Sequence, residues 1–394
     1  MKQVKKNIIS GKDSLKSNLL LTSIVNTFIL LLAITLTGCS TSNRQVSNSK
    51  SHDKEDIKIG AYFYDGWSSH NRHAKDPNQP WAKNAPRMLT RPLAEDFADR
   101  EPIWGWRGDS QEIVEQQIDI AADHGLDYFL FCWYWRDTDG PINVQAIENA
   151  PHHDSMNYYL KANNKNRLRF GLLVANHGGA EIKGADNWEE AARYWMQYFK
   201  DEQYVTVDNK PLVVIFNPSA LDEEGIERMQ KVARENGFSG LAIAGCGMPD
   251  AVGNGYTHRS HYNIVPGYRA GSEERPYSEL VEAHVSRWVG SEELPYIPEV
   301  TVGWDKRPWE GPEGTNAPEG YYYTGRTPEQ FEDFMRSAIT WMDENPKHTT
   351  KERLITIYAW NELGEGGFLV PTKGDPEASY LKVVKKITSE YSAD

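Results

Sequence analysis

The chain has 394 residues and a formal net charge of −13, and its Lys and Arg residues form no basic stripe. This charge excludes the nucleic-acid-binding proteins that neutralise phosphates with a basic face, so we expect no nucleic-acid partner. The 13 Trp and 20 Tyr offer flat apolar faces with hydrogen-bonding edges, which suit a large core and also the binding of sugar rings.

The first 39 residues predict a secretory signal rather than part of the fold. A lysine-rich front precedes a mostly apolar run from Leu19 to Thr37, and Leu36-Thr37-Gly38-Cys39 closes it. This end resembles the lipobox of bacterial lipoproteins, which implies cleavage before Cys39 and acylation of its thiol. We therefore expect a lipid anchor on a bacterial membrane, the outer one, at its periplasmic or cell-surface face. An uncleaved anchor helix is the alternative.

Short apolar runs predict eight β-strands in the remainder of the chain. They are expected at residues 57–63, 126–134, 168–175, 211–216, 241–244, 262–265, 296–302 and 354–360. Amphipathic stretches between them predict helices, one of which begins at Asp186 as its N-cap. The helices are expected at residues 110–124, 154–163, 186–201, 222–236, 277–289, 327–344 and 376–389.

Alternating strands and helices indicate a parallel sheet, and a count of eight strands indicates a closed (β/α)8 TIM barrel. We expect one catalytic domain with long βα loops over residues 57–391, joined to the signal by a flexible linker at residues 40–56. A doubly wound open sheet is the structural alternative, but no GxGxxG follows a strand. Cys132 and Cys246 adjoin apolar runs and indicate buried thiols rather than a disulfide.

The stretch that organises the chain is LITIYAWNELGEGGFLVP, from Leu354 to Pro371. It begins as a buried parallel strand and ends in a glycine-rich turn that contains Glu362 and Glu365. Both carboxylates therefore fall at the carboxyl end of a strand, where α/β barrels carry their chemistry. The alternatives are that Glu362 binds backbone groups and that Glu365 is a surface turn residue.

Other strand ends supply candidate substrate-binding residues that are acidic, amide-bearing or aromatic. They are Tyr64, Asp65, Trp67, Trp133, Tyr134, Asn176, His177, Asn217, Tyr268, Trp304, Asp305, Trp360 and Asn361. Acids surrounded by aromatic rings suit glycosidic bond cleavage, in which one carboxyl protonates the leaving oxygen and the other stabilises or builds the positive centre. Asp65 and Asp305 could equally form Asx turns.

We expect neither a metal nor another cofactor. The pairs His70/His73, His152/His153 and His258/His261 resemble metal ligands, but no carboxylate–histidine set converges with them in the sequence.

The segment Trp360-Asn361-Glu362-Leu363-Gly364-Glu365-Gly366 resembles the motif of family 99 glycoside hydrolases, the endo-α-mannosidases, and of WbsX-like glycan-processing proteins. Further similarity lies at Leu369-Val370-Pro371, Val302-Gly303-Trp304-Asp305 and Val174-Ala175-Asn176. Together these segments extend over most of residues 57–391.

The resemblance implies a (β/α)8 barrel and a retaining glycosidase. It implies that Glu365 is the general acid/base and that Glu362 is the base that acts on a sugar 2-hydroxyl. Leu363 and Gly364 stand where family 99 usually has Trp and His, which leaves mannose specificity open. We therefore expect a monomeric glycoside hydrolase that acts on an oligo- or polysaccharide. The alternatives are a non-catalytic glycan-binding lipoprotein and a WbsX-like glycosyltransferase.

Overall fold

The computed structural model of the chain describes residues 56–68, 85–86, 88–135, 140–247, 254–288, 294–309 and 320–391. The predicted signal and its Cys39, most of the linker and the His70/His73 pair lie outside these residues. Within the described part of the chain, no helix combines the length and the apolar character needed to cross a bilayer.

Eight parallel strands of the described residues form the central sheet. They are β1 Lys58–Phe63, β2 Tyr128–Trp133, β3 Arg169–Val174, β4 Lys210–Ile215, β5 Ala242–Cys246, β6 His258–Ser260, β7 Glu299–Thr301 and β8 Leu354–Tyr358. Their spatial order is β6-β5-β4-β3-β2-β1-β8-β7. The two ends of this path meet where Arg259 donates its N–H to Pro295 O at 2.9 Å and accepts from Ile297 N at 2.9 Å. The predicted barrel is confirmed.

Helices connect most of these strands. Their bounds are α1 Arg91–Glu95, α2 Gln111–Asp123, α3 Val144–Glu148, α4 Asp154–Lys161, α5 Ala185–Phe199, α6 Glu223–Glu235, α7 Tyr277–Trp288, α8 Pro328–Glu344 and α9 Ser379–Tyr391. Side-chain oxygens at the N-cap positions accept backbone N–H bonds in five of them, from Thr90, Ser110, Asn143, Asp222 and Thr327. The predicted cap at Asp186 is wrong, because Gly184 takes the N-cap position with φ 79° and Asp186 lies in the first turn.

The predicted sixth strand at residues 262–265 is also wrong, since β6 is His258–Ser260. This strand is polar and therefore has no apolar run to reveal it. Its side chains are paired inside the barrel: Thr257 Oγ1 lies 2.7 Å from His258 Nδ1, and Ser260 Oγ donates to Ile297 O at 3.0 Å. Buried polar groups that are paired in this way cost little stability.

Four short strands lie beyond the carboxyl ends of the barrel strands. Glu273–Pro276 pairs in parallel with Tyr321–Thr324, in the loops that follow β6 and β7. Asn361–Glu362 pairs antiparallel with Gly367–Phe368 just after β8. A fifth short strand, Thr206–Val207, pairs antiparallel with the start of β4. The hairpin after β8 matters most for function because it contains both predicted catalytic glutamates.

Candidate active site

The hairpin after β8 turns tightly because two glycines allow close approaches. Gly366 has φ 79°, a conformation that suits glycine, and Asp305 N donates to Glu365 O at 2.6 Å beside it. A side chain on Gly364 would overlap the indole of Trp309. The turn therefore holds Glu362 and Glu365 on a backbone fixed by neighbouring loops.

Glu362 is a buried carboxyl group. The hydroxyl of Tyr262 donates to its Oε1, whereas no donor of the described residues reaches its buried Oε2. Burial raises the pKa of Glu362 well above its usual range, and the nearby charge of Glu365 raises it further. The hydrogen bond from the Tyr262 hydroxyl lowers the pKa of Glu362 and so opposes both effects.

Glu365 is partly exposed, and the hydroxyl of Tyr358 donates to its Oε2. Burial raises the pKa of Glu365 to about 7, while the Tyr358 bond and the charge of Lys306 lower it. Tyr262 and Tyr358 pack edge to face with ring centroids 5.0 Å apart. Two tyrosines in contact thus position two carboxyl groups, and the pair can hold a proton near neutral pH.

Both glutamates line one cavity of about 840 Å³ at the carboxyl end of the barrel. Its walls are largely aromatic and apolar, as is common in ligand sites. The other lining residues are Tyr64, Met88, Thr90, Cys132, Tyr134, His152, Leu173, Ala175, His177, Phe216, Tyr262, Tyr268, Arg269 and Trp309. A separate cavity of about 600 Å³, at the amino-terminal ends of β1, β2 and β8, contains neither glutamate.

The structure brings four of the predicted substrate-binding residues into the cavity with the glutamates: Tyr64, Tyr134, His177 and Tyr268. They come from the ends of β1, β2 and β3 and from the loop after β6. A barrel gathers such distant positions because all of its parallel strands end on the same face.

Four other predicted residues connect strand ends instead of lining the cavity. The amide of Asn361 bonds both the N–H and the carbonyl of Tyr64, each at 2.8 Å, which ties the hairpin to the end of β1. The Trp67 indole donates to Asn361 O at 3.0 Å. The Asn176 amide bonds the backbone N and O of Asn217, again at 2.8 Å each.

The two predicted aspartates also lie outside the cavity lining. Asp65 is buried and accepts from Ser155 N at 2.6 Å and from the Ser68 hydroxyl, and burial raises its pKa to about 7. Asp305 pairs with Arg100 at 2.6 Å and with Arg307 at 2.8 Å. Both carboxyls organise loops around the site.

The three remaining predicted residues are buried tryptophans. Trp360 donates its indole N–H to Gln117 at 2.8 Å in the core, and Trp133 stacks on His153 at 5.5 Å. Trp304 supports the site from behind, with its ring 5.6 Å from Tyr268 and 6.1 Å from Tyr358.

Comparison with known proteins identifies the family. The family model described as glycosyltransferase WbsX matches residues 106–259 and 253–384. The chain belongs to the WbsX family. A curated relative in Xanthomonas campestris pv. campestris, named uncharacterized protein WxcX, is 22% identical over 289 residues. The match covers 66% of this chain and 39% of that protein, so this WbsX-family chain spans well under half the length of the relative.

Two solved structures share the fold of this WbsX-family protein. A GH99 endo-alpha-mannosidase from Bacteroides thetaiotaomicron superposes with a TM-score of 0.58 at 15% identity, covering 86% of this chain and 98% of that one. A protein titled glycoside hydrolase-like protein superposes with a TM-score of 0.56 at 14% identity, covering 87% of this chain and 96% of that one. At such identities the likeness extends to the barrel alone.

Several residues that line the cavity or hold its glutamates were not predicted from the sequence. Tyr262 falls in the run misread as a strand, and Tyr358 looks like an ordinary strand residue. Arg269 follows the predicted Tyr268, and His152 belongs to one of the suspected metal pairs. Its neighbour His153 instead accepts from Tyr134 N at 3.0 Å through Nε2. Among the described residues, no three His, Cys, Asp or Glu side chains converge as a metal site requires.

Proposed function

We propose that this WbsX-family protein is a glycoside hydrolase that cleaves an oligo- or polysaccharide with retention of configuration. The observation that carries the proposal is the pair Glu362 and Glu365 in one cavity of about 840 Å³, each held by a tyrosine hydroxyl. Glycosidic cleavage needs two carboxyl groups with different roles, and coupling between neighbouring carboxyls separates their protonation states.

Glu365 acts as the general acid and base. Its pKa of about 7 leaves a proton available at neutral pH, and its partial exposure lets the departing oxygen and then water reach it. In the first step the proton of Glu365 moves to the leaving oxygen as the bond from the anomeric carbon to that oxygen breaks. In the second step Glu365 removes a proton from the water that attacks the same carbon.

Glu362 acts as a base on the sugar 2-hydroxyl, the role implied by the family 99 resemblance. Its ionised form takes the hydroxyl proton while the hydroxyl oxygen bonds the anomeric carbon, which yields an anhydro sugar. When water opens this intermediate, Glu362 returns the proton to the 2-oxygen. The hydrogen bond from the Tyr262 hydroxyl supports this assignment, because it favours the ionised form of Glu362 that a base requires and opposes the effect of burial on its pKa.

Digestion of a glycan library, read by mass spectrometry, tests the proposal. We expect the wild type to release shorter glycans and Glu365→Gln to lose at least about a thousandfold in turnover while it still binds the substrate. Glu362→Gln should lose a similar factor. Glu344→Gln, at the exposed end of α8, is the matched control and should keep full turnover.

Two results would contradict parts of this proposal. Undiminished turnover by Glu365→Gln would remove its acid/base role. Products that form only when an activated sugar donor is added would indicate the transferase that the family description names.

A further inference from the structure

The charge inside the cavity is distributed unevenly. Its described lining residues include two carboxyls, Glu362 and Glu365, two histidines and a single arginine, Arg269. Arg269 lies in the turn after β6, directly after Tyr268, and is exposed. Within the described residues its guanidinium makes no hydrogen bond, ion pair or ring contact. Other arginines near the site are engaged, for example Arg100 with Asp305.

The neighbouring Tyr268 presents a supported aromatic ring to the same part of the cavity. The residue is 42% exposed, which is unusual for a large aromatic side chain in this protein. The Trp304 ring packs 5.6 Å from it, and the Lys306 ammonium lies 4.4 Å from its centroid. Lys306 is itself buried, and its charge acts on Glu365. This side of the cavity therefore combines a fixed ring with two cations.

We propose that the sugar bound at Tyr268 and Arg269 carries an anionic substituent, a carboxylate, a sulfate or a phosphate. Tyr268 would pack against the sugar ring, and the Arg269 fork would bind two oxygens of the anion. This inference rests on the proposed function, because it names the substrate class of the same cavity. A neutral glycan would leave the guanidinium without an ionic partner.

A local cation in the cavity would offset the charge of the whole chain. A net charge of −13 repels anionic glycans at long range, although salt screens this repulsion beyond about 8 Å at physiological ionic strength. Selection for an anionic sugar must then come from a contact inside the cavity. A planar guanidinium is the group best suited to hold two oxygens of one anion.

Binding to matched pairs of oligosaccharides tests the inference. The probes are uronate-, sulfate- and phosphate-bearing oligosaccharides, each compared with its carboxyl-reduced, desulfated or dephosphorylated counterpart. Calorimetry on Glu365→Gln, which should bind without turnover, measures the affinities. We expect at least one anionic probe to bind about tenfold or more tightly than its neutral counterpart.

Adding Arg269→Gln to this variant should remove that preference by weakening the binding of the anionic probe far more than that of the neutral probe. Arg269→Lys should restore part of the preference, because it keeps the charge and loses the fork. The matched control is Arg234→Gln, at an exposed position of α6 outside the cavity lining, which removes the same charge and should keep the preference.

The outcomes separate this inference from the hydrolase itself. One outcome would overturn the inference and keep the hydrolase. In it, the protein hydrolyses neutral glycans, Arg269→Gln hydrolyses them equally well, and no anionic probe binds more tightly than its neutral counterpart. An anionic preference that depends on Arg269 without hydrolysis of any glycan would keep the inference and overturn the hydrolase. Equal loss of neutral and anionic binding in Arg269→Gln would overturn the inference, because the arginine would then be a general contact.

Discussion

At the scale of single residues, two tyrosine hydroxyls oppose the effect of burial on the pKa values of the carboxyls proposed to be catalytic. Tyr262 donates to Glu362 and Tyr358 donates to Glu365. A donor stabilises the charged form of a carboxyl and so lowers its pKa, whereas burial raises it. Without these bonds, both groups would remain protonated to higher pH and neither could act readily as a base.

Tyr358→Phe tests this balance because it removes the hydroxyl and keeps the ring. We expect the pKa of Glu365 to rise above its value of about 7. Since the general acid must be protonated, the alkaline limb of kcat/KM should move to higher pH, by about one unit for one charge-assisted hydrogen bond. The measurement is the pH dependence of kcat/KM on a substrate found in the library digest.

Tyr204→Phe provides the matched control. Tyr204 is buried like Tyr358, but its hydroxyl donates to the backbone oxygen of Leu212 at 2.8 Å and to neither glutamate. It should lower stability without moving the pH profile. A profile of Tyr358→Phe that matches the wild type would contradict the role given to this hydroxyl.

The residue scale also shows where prediction from sequence ends. Glu362 and Glu365 could be placed at a strand end because the apolar run before them and the glycines after them are local signals. Trp360 and Asn361 belong to the same run, yet Trp360 points into the core and Asn361 binds the end of β1. The partners of these two side chains are more than 200 positions away, so no local pattern separates them from substrate contacts.

At the scale of elements, Arg100 holds three loops together around the site. Its guanidinium bonds Asp305 Oδ2 at 2.6 Å, Asp305 O at 2.9 Å and Leu363 O at 3.0 Å. The loop after β1 is thereby joined to the loop after β7 and to the hairpin after β8. From the sequence, Asp305 was a candidate sugar contact, and its role in linking these loops was not predicted. Its partner Arg100 lies about 200 positions earlier in the chain, so no local pattern connects the two residues.

Arg100→Met should therefore destabilise the fold and disturb the hairpin that carries the glutamates. Removing one member of a buried ion pair costs about 3–5 kcal/mol, and Arg307 still neutralises Asp305, so we expect a loss of about 3 kcal/mol. Chemical denaturation measures this free energy of unfolding, and kcat should fall with it at temperatures where the variant remains folded.

Arg307→Met is the control for this prediction, because it removes a second cation from the same carboxylate. The Arg307 side chain is 38% exposed, against 8% for Arg100, so its pair is screened by water. We expect a cost below about 1 kcal/mol. Equal costs for the two variants would show that burial does not distinguish these ion pairs.

At the scale of the whole molecule, the sequence predicts the barrel well because parallel strands buried on both faces are nearly continuous apolar runs. Prediction failed at β6, where the side chains of a polar strand are paired inside the barrel. The same burial of polar groups gives the protein a set of displaced pKa values. Burial raises the pKa of Glu299 to about 8 and lowers that of His261 to about 3.

These shifts make the stability depend on pH in two opposite ways. A buried histidine with a lowered pKa contributes stability that is full above about pH 6.5 and is lost as the pH falls through its folded pKa. A carboxyl with a raised pKa contributes stability that is full below about pH 4.5 and is lost as the pH rises through its folded pKa. Above about pH 6.5 only the contribution of these carboxyls to stability still changes, so the free energy of unfolding should decline toward pH 8.

Glu299→Gln isolates one part of this decline. Glu299 is fully buried in β7, where the Tyr296 hydroxyl donates to its Oε2 at 2.6 Å, and glutamine keeps an acceptor there without a charge. The pKa of Glu299 in the folded protein is about 8. Replacing this residue should therefore reduce the loss in free energy of unfolding between pH 6.5 and 8 by about 1–2 kcal/mol. Denaturation at several pH values measures this slope, with Glu282→Gln at an exposed position of α7 as the unchanged control. A slope equal to that of the wild type would mean that Glu299 is charged in the folded protein, and a compensating cation would then have to lie beside it.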